Sequence, residues 1–398
     1  LAPTITARIG QRAEVAAGDL TLSAILLAPA SGPAAEATAT GAAGGLIGVN
    51  AAVASTHIGA DVQAIVDEDA VVDVTGSVTI QATGQTEQEA TTKAVVGGVL
   101  VAGAAPAEAT AAANVASGIS NGARIVAATL KILTTGSQGL SATATGGSGG
   151  VISGAVATAT TRTTSTNGIT VGDAVSIDVG ALEIHAQQTN TVNGKIDTTN
   201  AAVVGASGGF SNNVVDAGVS VEVGAAEIVA GGVVVNAVNR TRKDDIGTNV
   251  SSGSGGVVDA PAAFGTTGIA HDTGILLGDG AVIAVNSERP NASGLFQVSA
   301  LNDVQAVDKT SLNSGGVISV AKAQSEIHVR DAATGDPIRA GVSVGDVDLS
   351  ATGDILLSAM TTGDIDAYAQ ARTYGASGAA EGLTVADFRA RNAVDLED

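Results

Sequence analysis

Residues Gly180–Ala186 read GALEIHA. Leu182, Ile184 and Ala186 alternate with Glu183 and His185. A strand would therefore carry the apolar set on one face and the polar pair on the other. The same sentence recurs along the chain. Leu20–Ala24 (LTLSA) follows Gly18-Asp19, and Val78–Ala82 (VTIQA) follows Gly76-Ser77. Val233–Ala237 (VVVNA) follows Gly231-Gly232, Phe296–Ala300 (FQVSA) follows Gly294-Leu295, and Ile355–Ala359 (ILLSA) follows Gly353-Asp354. A degenerate copy, Leu130–Thr134 (LKILT), fills the remaining gap. The last inward residues are Ala24, Ala82, Thr134, Ala186, Ala237, Ala300 and Ala359, spaced 58, 52, 52, 51, 63 and 59 residues apart.

Two further landmarks keep phase with these strands. One is a glycine pair: Gly44-Gly45-Leu46-Ile47, Gly97-Gly98-Val99-Leu100, Gly149-Gly150-Val151-Ile152, Gly208-Gly209-Phe210-Ser211, Gly255-Gly256-Val257-Val258 and Gly315-Gly316-Val317-Ile318. The other precedes the strand: Ile9-Gly10, Val171-Gly172-Asp173 and Leu277-Gly278-Asp279. Three landmarks in constant order predict an all-β chain, a parallel β-helix (β-solenoid) of about seven imperfect units of 51–63 residues. Glycine corners suit such a fold because glycine takes positive φ freely. The stretch GGSGGVISGAVATAT, Gly146–Thr160, is expected to be an ordered wall or corner where two layers pass closely. Each unit is either one wide coil or two ordinary ones. The contrast between bulky and small strand blocks favours one.

Composition agrees. Hydrophobic residues make up 45% of the 398 positions but aromatic residues only 2%, so the apolar mass is Ala, Val, Ile and Leu. Asp and Glu number 39 against 18 Lys and Arg, for a net charge of −21. No basic stripe is present to wrap a nucleic acid. Cysteine is absent, which removes disulfides and thiolate metal sites. No uninterrupted apolar run is long enough to span a membrane.

These alternating strands on Gly/Asp corners, joined by Ala/Gly/Thr-rich segments in an acidic, cysteine-free chain, resemble the repeat regions of filamentous-haemagglutinin-like and autotransporter-type surface adhesins. The matching portion runs from about Ile5 to about Gly378. The resemblance implies a right-handed parallel β-helix outside a Gram-negative cell, working in attachment or surface layering. The family's N-terminal secretion domain and C-terminal membrane barrel have no counterpart here, as expected of an excised or processed segment.

Candidate sites are few. His185 falls at an outward strand position and reads as a solvated ladder residue. His57, His271 and His328 show no metal spacing. Asp67-Glu68-Asp69 is the densest acidic run and the candidate for a calcium ion, which takes carboxylate oxygens; a solvated turn is its plainer reading. A β-helix polysaccharide-degrading enzyme would need clustered carboxylates and aromatic sugar platforms. The chain has no Trp and two Tyr, Tyr368 and Tyr374, and no catalytic or cofactor-binding set is legible. Val238–Gly256, with Arg240, Arg242 and Lys243, is expected to leave the solenoid as a charged excursion within residues 1–380. Residues 381–398 are expected to form a cap, with a short helix, or a linker.

The expected function is therefore structural and non-catalytic. The first form is a rod-like stalk or adhesin repeat in an extracellular bacterial filament. The alternative is a filament or sheath subunit stacking end to end through open coil edges. Partners would be further copies or adjoining repeats, with a host-cell surface or a surface polysaccharide as the attachment target.

Overall fold

The computed structural model of the chain describes residues 2–289, 292–331 and 333–397. Every regular element among them is a strand. The longest, Ser77–Ile119, Arg124–Val171 and Ser176–Val223, are continuous bent paths that alternate in and out over most of their length. They pair in parallel, one repeat apart. Leu130 lies between Val78 and Leu182, and Ile132 between Ile80 and Ile184. Each such step is 52 residues, so a repeat makes one wide turn. The sequence series holds throughout: Ala24, Ala82, Thr134, Ala186, Ala237, Ala300 and Ala359 are successive partners. This closed parallel sheet of stacked turns is compatible with a β-solenoid.

Within a turn the chain runs out along one wall, reverses, and returns along the other. Side chains meeting across the interior fix the arrangement. Ser165 donates to Asn190 at 3.2 Å, and Asn239 donates to the Ala217 carbonyl at 2.8 Å. Two apolar clusters result. One is bulky, built on ladders such as Ile80, Ile132 and Ile184 with Ile119 and Ile125. The other is thin and alanine-rich, with Ala90, Ala142, Ala144, Ala157 and Ala159. Thr134, Gln138, Asn167, Gln188 and Asn190 are buried polar residues. Small side chains let the two walls of the thin part approach. A Cβ on Gly209 would stand 2.9 Å from Val250 and 3.1 Å from Ile196.

The corners explain the Gly-Asp landmark. Ile9, Val66, Ile119, Val171, Val223, Leu277 and Val344 form one ladder. Three residues beyond it the backbone turns with positive φ at Arg12, Asp69, Gly122, Ala174 and Gly280. Carboxylates and amides then bridge turns. Asp173 accepts from the Ala225 amide at 2.9 Å, Asp279 from the Asp346 amide at 3.1 Å, and Asn121 from the Asp173 amide at 3.0 Å. Each satisfies a corner N–H that no ladder could reach.

Three sequence expectations change. Residues 238–243 and 250–256 do not leave the stacked turns: Val233–Lys243 and Val250–Asp259 are strands paired on both sides, and the excursion expected over 238–256 shrinks to 244–249. The alternation that places Thr241 and Lys243 inward overrides the charge of the segment. Larger interruptions are 27–34, 286–289 with 292–295, and 330–331 with 333–337; Pro290, Asn291 and Ala332 lie outside the described residues. Next, Gly208-Gly209 is not a member of the glycine-pair series. Gly149 and Gly150 pair with Ala201 and Ala202, so Ala201-Ala202-Val203-Val204 holds that place. Gly208-Gly209 belongs to the returning wall, where Ile196 and Val250 leave no room. Finally, the end of the chain holds no helix among the described residues. Ser377–Phe388 and Ala390–Leu396 are strands paired with Ile318–Val329 and Ile338–Val344. Asp398 is outside the described residues.

Candidate functional site

The outer face of the returning wall carries a shallow open groove that crosses successive turns. Its floor is made by residues too small to fill it. Gly168, Ser220, Gly274, Gly341 and Ala393 are register partners in one outward column. Nothing lies within 4 Å of where a Cβ would stand on Gly274 or Gly341. On one side runs the column Asp61, Asn114, Thr166, Gly218, Asp272, Arg339 and Arg391. Its first members are tied together: Thr166 donates to Asn114 at 3.0 Å, and Asn114 donates to Asp61 at 3.1 Å. On the other side lie Glu222, Leu276, Ser343 and Asp395. One stretch of it, about 320 Å³, spans Glu222, Asp272, Gly274, Arg339, Gly341 and Arg391.

This groove offers an extended polymer a line of hydrogen-bonding groups and charges of both signs. His271 sits one residue from Asp272 but on the opposite face, buried and in contact with Thr241 Oγ1 at 2.7 Å. Burial pushes its pKa down to about 3, so it stays neutral and cannot reach the groove. Ser343 stands in register beside the carboxylate of Asp395, and no aromatic side chain lines this stretch.

The remaining candidates separate. Asp67, Glu68 and Asp69 lie together at a corner, facing the first turn. Asp67 is held by Arg8 at 2.9 Å, Glu68 by Gln11 at 3.3 Å and Asp69 by Arg12 at 3.6 Å. Among the described residues no group of three or more His, Cys, Asp or Glu has the geometry to hold a metal ion. His185 is half-buried, within 3.0 Å of Asn236; desolvation draws its pKa below the usual histidine value. His57 is within 2.9 Å of Thr110, and His328 lies 3.3 Å from Glu326.

The basic cluster is not a free patch. Arg242 and Arg240 both turn to Asp303, at 2.6 and 3.7 Å, and the Arg242 hydrogen bond holds the Asp303 carboxyl below the usual carboxylate range. Lys243 points inward. It lies fully buried, 3.3 Å from the equally buried Asp308, and donates to the Val307 carbonyl at 2.7 Å. Desolvation pushes its pKa down against the pull of Asp308. Gly265 makes the space, since a Cβ there would collide with the Asp308 carboxylate. Sequence reasoning missed this buried pair. Its one signal was the alternation through Val233, Val235, Ala237, Asn239 and Thr241, which already placed residue 243 on the inner face. No protein-family model, curated protein or solved structure matches the chain.

Proposed function

We propose that the chain is a structural, non-catalytic segment of a bacterial cell-surface filament, built as a β-solenoid of about seven turns. The observation that carries this reading is the ladder itself. A residue such as Leu130 is paired through the turn before and the turn after, and this continues from Thr4 to Leu396. Such a chain commits nearly all its described backbone to axial continuity.

Proportions shape the proposal. About seven turns at about 4.8 Å each give about 34 Å along the axis, while walls of about 19 residues at about 3.3 Å each give about 60 Å across it. This segment alone is a plate, and a stalk arises when such plates are stacked. Adjoining repeats of a longer chain would supply that stack. Copies meeting end to end are the second form, in which the terminal turns of two copies would pair by strand addition. The groove is the place for an attachment ligand, and a surface polysaccharide fits its polar column.

Electron microscopy separates the two forms. Single plates are expected of a segment that needs adjoining repeats, and long fibres of a self-stacking subunit. The non-catalytic reading is tested by incubating the purified protein with neutral and acidic polysaccharides and measuring new reducing ends. None are expected; sustained depolymerisation would overturn it.

A further inference from the structure

At the far end of the thin part, where the outgoing wall reverses, successive turns approach closely. A Cβ on Gly150 would collide with the Gly98 carbonyl, and one on Gly256 with the Ala202 carbonyl. The two residues after this tight point both face solvent. In six successive turns both are aliphatic. Ile47, Leu100, Ile152, Val204, Val258 and Ile318 are register partners, and each follows a second exposed aliphatic residue, Leu46 in the first turn and valine in the other five. Their fractional exposures run from 39% at Val258 to 73% at Leu46.

The result is a straight apolar ridge, two side chains wide, running along the axis for about 24 Å at about 4.8 Å per turn. Its twelve side chains present on the order of 1,000 Å² to solvent, beyond the few hundred Å² of the largest apolar patch on an ordinary monomer. Charge avoids this edge. The chain carries −21, yet residues 37–60, 94–107, 132–161, 198–215, 246–258 and 310–321 contain no Asp, Glu, Lys or Arg.

We infer that this ridge is a lateral interface on which a second copy of the chain packs, edge to edge. Three features select that occupant. A standard interface buries about 800 Å² per partner, which the ridge supplies. A copy brings an identical ridge with the same axial step, so aliphatic rows interdigitate along the full length. The uncharged border lets two molecules of charge −21 approach with their carboxylates turned away, and the low charge density matches the depletion seen at interface centres. A bilayer is a poorer occupant. The twelve ridge residues include no Trp or Tyr to anchor at a membrane interface, exposed Tyr374 beside Gly315 standing only at one end, and the border has no Lys or Arg to meet anionic headgroups. This association is lateral and independent of the axial stacking proposed above.

The test is sedimentation of the purified protein beside the variant Leu100→Gln/Ile152→Gln/Val204→Gln. All three side chains point to solvent, so circular dichroism and melting temperature should be unchanged. The expected result is a dimer for the parent at micromolar concentration and a monomer for the variant, a loss of at least tenfold in association constant. A parent that remains monomeric, or a variant that dimerises equally, overturns the inference. So does a parent that floats with uncharged phosphatidylcholine vesicles when the variant does not, because the ridge would then belong to a lipid surface.

Discussion

Ile184 and His185 are adjacent in sequence and opposite in environment. Ile184 is fully buried on a ladder with Ile132 and Val235, while His185 faces out beside Asn236. Ile184→Asp would bury an uncompensated charge and cost several kcal/mol. His185→Ser should change stability by under about 0.5 kcal/mol, as at ordinary surface positions. Chemical denaturation of both variants checks the register, and equal losses would place it one residue out. His271 makes a second residue-scale prediction. Its pKa is about 3 in the folded chain against 6.5 when exposed. Below pH 6.5 the unfolded state binds a proton that the folded state refuses, so this contribution is intact above pH 6.5 and is lost as pH falls toward 3. Between pH 7 and pH 5 the loss should be about 2 kcal/mol. His271→Gln should lack it, so unfolding curves of parent and variant should converge on acidification. Parallel pH dependences would show that His271 is not buried neutral.

At the scale of elements, alternation was legible and identity of partners was only partly so. The GALEIHA series gave the register of the bulky cluster at every turn, because apolar residues at period two have one consistent solution. The glycine pairs were less decisive. Gly149-Gly150 and Gly208-Gly209 look alike in sequence but answer different neighbours, the Gly98 carbonyl in one case and Ile196 with Val250 in the other. Glycine reports a close approach without saying what approaches. The buried Lys243–Asp308 pair was hidden for a related reason: a charged segment reads as solvated unless its strand phase is given priority. The outer groove was illegible, since it is a column of unremarkable small residues from different turns. Gly150→Val tests the element-scale account. The added side chain meets backbone that cannot retreat, and overpacking of this kind costs about 1–3 kcal/mol. Turns contact mainly their neighbours. Hydrogen exchange should therefore rise first in Val78–Ala82 and Leu182–Ala186 and later in Ile355–Ala359. An unchanged melting temperature, with fast exchange at Gly146–Thr160 in the parent, would return that stretch to a mobile loop.

For the whole molecule the central claim is that one repeat is one turn, paired in parallel with the next. The plate-like proportions, the axial columns of the groove and the apolar ridge all depend on it. Lys131 and Glu183 are register partners on the outer face, their charged groups 2.8 Å apart. Parallel neighbours about 4.8 Å apart fall within the Cα separation that a disulfide accepts, and the chain has no cysteine of its own to compete. The most direct measurement is oxidative cross-linking of Lys131→Cys/Glu183→Cys, read by intact mass and peptide mapping, beside Lys131→Cys/Thr158→Cys, whose separation is about half a repeat. Rapid, near-complete intramolecular bonding in the first pair, with none in the second, is the predicted result. Bonding in the second pair and not the first would mean two turns per repeat, and would contradict the fold described here.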